Sequence, residues 1–166
     1  MSRPAVYARP QMLAHWLVAL LVLFQYFTGE GMAAAFDAMV ETGTRAASGT
    51  AVVHGLFGLT ILGLMVWRLT MRRTKGTPPP PETEPGAVRM LSRGVHYAFY
   101  VVLIGMPLAG LAAILTGSEA LATAHEWASK LLIALALLHV AGAVWHLTKG
   151  DGVVHRMIRS DASRMR

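Results

Sequence analysis

The sequence predicts an all-α integral membrane protein, a four-helix bundle with both termini on the cytoplasmic side, and three observations lead to it. The 166 residues are 54% hydrophobic and only 14% charged, with a mean hydropathy of +0.47, which fits one small membrane domain over residues 1–166. Four apolar runs are long enough to cross a bilayer core, which takes about 20 residues each. Six of the seven histidines lie within those runs or at their edges, several at the same end of their run. Imidazole is costly in lipid, so this placement points to buried ligands.

The first span is read as Met12 to Thr28. Its N-terminal flank is basic, but no small-residue cleavage site follows it, which predicts a retained span rather than a leader. Gly31 to Val40 then predicts a short helix lying on the outer membrane surface. The second span is Thr50 to Thr70. Residues 76–87 (GTPPPPETEPGA) cannot be regular helix and predict an extended link, a stiff spacer or a PxxP-type docking segment. The third span is Val95 to Leu115, with Pro107 expected to bend it. The fourth is Ala124 to Thr148. Trp16, Trp67, Trp127 and Trp145 all fall near span ends, as interfacial tryptophans do.

The net charge of +6 raises a nucleic-acid reading, which the distribution of the charges excludes. Basic residues sit before the first span (Arg3, Arg9), between the second and third (Arg68, Arg72, Arg73, Lys75, Arg89, Arg93) and after the fourth (Lys149, Arg156, Arg159, Arg164, Arg166). They flank lipid spans on one side of the chain instead of gathering on a folded surface. The other side carries Glu30, Asp37, Glu41 and Glu119, with Arg45 as its only basic loop residue. By the positive-inside rule both termini and the middle loop are cytoplasmic. The absence of cysteine excludes disulfides, thiolate haem ligation and cysteine-held iron–sulfur clusters.

The chemistry rests on spacing in the fourth span. His125 and His139 are fourteen residues apart, within about 40° of one face and about 21 Å apart along the axis. Two such ligands serve two sites at different depths. Span direction places His54 level with His125 toward the outer side and His15 level with His139 toward the cytoplasmic side. Two bis-histidine haems stacked across the membrane follow, a ligation that leaves no open iron position and favours electron transfer.

His146, seven residues after His139, could replace it as the inner ligand, but its place at the span end favours His139. His96 could meet a haem propionate or a quinone head group, or face water at the interface. Lys130, inside the fourth span, could snorkel outward, pair with a propionate or serve an outer redox site. His155, in the basic tail, is expected at the surface. Gly55, Gly58, Gly63 and Gly142 allow close approach of either a helix or a porphyrin face.

The segments "AHWLVALLV" with His15, "VVHGLFGLTILGLMVWRL" with His54, "RGVHYAFYVVLIGMPLAGL" in the third span, and "AHEWASKLLIALALLHVAGAVWH" followed by "DGVVHRMI" resemble the prokaryotic cytochrome b561 family. These are small four-helix dihaem membrane proteins, and the likeness covers nearly the full chain. The resemblance implies that His15 and His139 ligate a cytoplasmic-side haem b, and His54 and His125 an outer one. No departure is seen at those positions; the tail lacks the second histidine that often follows the one matching His146.

The resemblance further implies a quinone-linked redox protein embedded in membrane lipid. One branch takes electrons from superoxide at the outer face and delivers them to ubiquinone. Size, a free-standing dihaem unit and the outer cations Arg45 and Lys130, which could steer a small anion, fit that branch. The quinone site is expected at the cytoplasmic ends of the first and third spans, near Arg9, His15 and His96. Two other readings stand beside it. One is a cytochrome subunit linking the quinone pool to a separate periplasmic redox enzyme. The other is a haem-free transporter or scaffold whose histidines bind a transition metal or shuttle protons, although such a metal site would gather its ligands at one depth.

Overall fold

Helix-favouring leucine and alanine dominate all four apolar runs, and each run becomes one long helix. The computed structural model describes residues 6–43 and 49–158. Its helices are α1 (Arg9–Thr42), α2 (Gly49–Lys75), α3 (Gly86–Thr116) and α4 (Glu119–Lys149), with a short 3-10 turn at His155–Met157. All four are long and apolar enough to span a membrane. Arg45, offered above as an outer cation, and the terminal residues Arg3, Arg159, Arg164 and Arg166 lie outside the described residues.

The surface helix expected at Gly31–Val40 is not separate. It is the continuation of α1, a 34-residue helix about 51 Å long at 1.5 Å per residue. Glu30, Asp37 and Glu41 therefore sit on that helix rather than in a loop. Glycine in a helix costs only about 1 kcal/mol, and Gly31 serves α2 instead of ending α1: a Cβ there would overlap the Thr50 side chain. The helix ends at Gly43, in the left-handed conformation (φ 68°) with its amide bonded to the Met39 carbonyl. α3 runs on through Pro107. α4 is capped by the Ser118 hydroxyl, which accepts from the Leu121 amide, and closed by Gly150.

The bundle is up-down-up-down. α1 packs along α2, α3 along α4, and the two hairpins meet through α2 and α3. Its core is one mid-height layer: Val18 of α1, Ile61 and Met65 of α2, Val102 and Leu103 of α3, and Leu132 of α4. The proline-rich link is non-helical up to Pro85, as its composition requires, and is tied across one end. Gln11 Nε2 donates to the Gly76 carbonyl (3.1 Å), Arg156 Nη1 to that of Pro79 (2.8 Å) and Arg89 Nη2 to that of Pro81 (3.3 Å).

Candidate functional site

α4 presents His125, Leu132, His139 and His146 at intervals of seven residues, close to two helical turns and so nearly one stripe. Leu132 belongs to the core layer, with His125 on one side of it and His139, then His146, on the other. α2, running parallel to α4, carries His54, Ile61 and Arg68 at the same interval. His54 thus comes level with His125, and Arg68 with His139.

The imidazoles face each other in the pairs expected. The rings of His15 and His139 have centroids 6.0 Å apart, and those of His54 and His125 6.1 Å apart. Two imidazoles bound on opposite sides of one metal at about 2 Å each stand with ring centres about 6 Å apart, so both pairs fit a shared metal axis. Each pair joins α4 to a helix that is not its hairpin partner, across the seam between the hairpins. Among the described residues no three His, Asp or Glu side chains converge into a cage for a small ion.

The second nitrogen of two of these rings is already engaged. His125 Nδ1 donates to the Met106 carbonyl at 2.8 Å, since a carbonyl can only accept. His54 Nδ1 meets the Thr28 hydroxyl at 3.2 Å, while Gln25 Nε2 holds the His54 carbonyl at 3.1 Å. Such bonds fix ring orientation and leave Nε2 as the free ligand atom. Gly110 makes room for His125: a Cβ there would stand 2.8 Å from Nδ1. By contrast, Gly55, Gly63 and Gly142 have nothing within 4 Å of a Cβ position. They make no close helix contact, and of the glycines singled out by spacing only Gly58 does, 3.3 Å from Gln25 Nε2.

The His15/His139 level holds more polar groups. His96 packs edge-on to His139 (5.3 Å), as does Phe99 (5.5 Å), and its Nδ1 bonds the Ser92 carbonyl at 2.6 Å. Arg68 Nη1 donates to the Gln11 carbonyl at 3.1 Å, and Tyr100 lies beside its guanidinium. Tyr7 lies within electrostatic reach of Arg72, Arg68, Tyr100 and Arg156; burial pushes its phenol up despite the arginine charges, so it stays a protonated donor. Arg9 is exposed at the start of α1.

His146 is buried, but away from the paired imidazoles. Its Nδ1 bonds Asp151 Oδ2 at 2.6 Å and its Nε2 lies 3.7 Å from Glu84. His155 is exposed. Lys130 is also exposed, paired with Glu126 at 2.8 Å and lying 4.6 Å from the Trp127 ring centre.

The chain as a whole is matched by known proteins. Residues 6–160 match the family described as prokaryotic cytochrome b561. The chain belongs to that family. It is also 32% identical to a cytochrome b562 of Cereibacter sphaeroides over 160 residues, covering 96% of this chain and 99% of the relative. As a cytochrome b561 family member it is a multi-pass bacterial membrane cytochrome b, with haem b as the cofactor and electron transfer as the task. The residues fit that cofactor: imidazoles facing each other in pairs, oriented Nδ1 atoms and glycine surfaces free of helix contact.

Reading the sequence singled out the histidines but missed Met106, Gly110, Thr28, Gln25, Arg68 and Tyr100. Arg68 had a signal, because it follows His54 by the same fourteen residues that separate His125 and His139.

Proposed function

We propose that this chain moves single electrons through two b haems, one held by His15 and His139 and the other by His54 and His125, from superoxide at the outer face to ubiquinone. The observation that carries the reading is the pairing of four imidazoles at two levels, 6.0 and 6.1 Å between ring centres. When bound, haem b would supply a one-electron couple, with His15 and His139 as the residues to hold one haem and His54 and His125 the other.

The protein's own part is to hold and insulate. The Met106 carbonyl and the Thr28 hydroxyl orient the outer pair. Val18, Ile61, Met65 and Leu132 keep water out of the layer between the levels. The basic flanks support termini in the cytoplasm, with the His15/His139 level on that side of the inner membrane. The net reaction balances as two superoxide ions, one ubiquinone and two protons giving two dioxygen molecules and one ubiquinol. Lys130 and Arg45 are the outer cations available to a small anion, and Arg9, His15 and His96 mark the quinone end.

Haem content measured by pyridine haemochrome, with a reduced-minus-oxidised spectrum, tests the reading. Two low-spin b haems per chain are expected, falling to one in His139→Ala and in His125→Ala. A chain without haem overturns it. Reduction of both haems by superoxide, and their reoxidation by added ubiquinone in liposomes, tests donor and acceptor.

A further inference from the structure

The two histidine levels differ in charge. At the His54/His125 level the polar neighbours among the described residues are neutral: the Thr28 hydroxyl, the Gln25 amide and the Met106 carbonyl. Lys130, five residues along α4 from His125, is exposed and already neutralised by Glu126 at 2.8 Å. At the other level Arg68 lies close enough to His15, His96 and His139 to act on all three electrostatically. Arg72, one turn further on, sits 5.8 Å from the Tyr97 ring centre and 5.9 Å from that of Tyr100.

Among the described residues neither guanidinium has a counter-charge. The ion pairs among the described residues engage Arg89, Lys130 and His146, not Arg68 or Arg72. A guanidinium offers five donors in a fixed fork that matches a carboxylate, and the bonds described for Arg68 are to one carbonyl and a neighbouring phenol. A half-buried cation beside three imidazoles is costly unless an anion completes the site. Tyr7, within electrostatic reach of the two arginines and Tyr100, adds a hydroxyl to the same region.

We propose that Arg68 and Arg72, with the phenols of Tyr7 and Tyr100, form a carboxylate cradle for the propionates of the haem held by His15 and His139, and that their charge makes this the higher-potential of the two haems. Nearby positive charge favours the reduced form, and net charge is among the levers by which a protein sets a haem potential. The bias draws a single electron toward the basic end of the bundle, where the proposed quinone acceptor waits, and away from the neutral end. The inference rests on the two-haem reading.

A redox titration of the full-length holoprotein in detergent, with haem counted in each sample, tests it. Wild type is expected to show two one-electron waves. Arg68→Gln lowers the upper wave by tenfold or more in equilibrium constant, about 59 mV per tenfold for one electron, and leaves the lower wave in place. Arg68→Lys, which keeps the charge, restores most of the shift. Arg72→Gln moves the upper wave in the same direction by less. The cradle is overturned if Arg68→Gln retains two haems with the upper wave unmoved, or if the lower wave moves instead. If Arg68→Gln loses haem, Arg72→Gln decides by the same criterion: a lowered upper wave supports the cradle and an unmoved one overturns it. A wild-type chain with fewer than two haems fails the reading beneath the proposal, and the wild-type count alone tells that failure apart.

Discussion

A methyl group on residue 110 would stand 2.8 Å from His125 Nδ1 and 3.0 Å from its Cε1, inside the range that packed atoms tolerate. The same ring is held by the Met106 carbonyl at 2.8 Å, one turn back along α3, so it cannot retreat without losing that bond. Gly110→Ala is therefore expected to weaken haem retention at the His54/His125 level by about tenfold or more, the usual cost of losing a partner that orients a metal ligand. Haem per chain falls from two toward one. Gly105→Ala, on the same helix but facing open space, keeps both. The histidines themselves were legible because imidazole in an apolar run needs a reason to be there. Gly110 and Met106 were not, because their roles exist only against a residue on another helix, and sequence spacing within α3 carries no record of it. Arg68 lay between these cases: its fourteen-residue offset from His54 was readable, but its basic side chain was absorbed into the charge count of the cytoplasmic flank.

Among the elements, the end of α4 is secured by charge. Partial burial raises the Asp151 pKa, but hydrogen bonds from His146 and the Val153 amide, with the charges of His146 and Arg156, outweigh it and hold the carboxyl below its usual range. A carboxyl depressed in the folded state contributes stability that is fully present above its unfolded pKa, about 3.9, and is lost as the pH falls through the folded value. Asp151→Asn is accordingly expected to lower Tm by a few degrees at pH 7, and the gap from wild type should close as both are titrated down to pH 3. A gap that is the same at both pH values would show that Asp151 acts through packing alone. The proline-rich link was readable as non-helical, but its docking to Gln11, Arg89 and Arg156 was not, since those bonds end on backbone carbonyls. The other misreading was at α1, where Gly31 to Val40 was read as a separate surface helix rather than as its continuation. Gly31 answers the approach of Thr50, a tertiary demand that looks like a turn signal when only the sequence is read.

At the scale of the whole molecule, four spans could be read from hydropathy, because the bilayer core sets their length. The seam between the hairpins could not be read, and it is where the paired imidazoles meet. Charge along the bundle axis then becomes the property that acts at a distance. If superoxide is the donor, its encounter with the outer end depends on Lys130, whose charge is largely cancelled by Glu126 at 2.8 Å. Removing the carboxylate frees the cation, and removing the cation exposes the carboxylate, so the two variants are expected to act in opposite directions. Glu126→Gln should raise the rate of haem reduction by superoxide at low ionic strength, and Lys130→Gln should lower it, each by a few-fold. Both rates should converge on wild type near 1 M salt, where the screening length is about 3 Å. Both residues are exposed and outside the ligand pairs, so haem content serves as the control and is expected to stay at two. Rates that ignore both substitutions at low salt would remove Lys130 from the steering of the donor and leave a neutral donor, such as a quinol, as the better fit for that face.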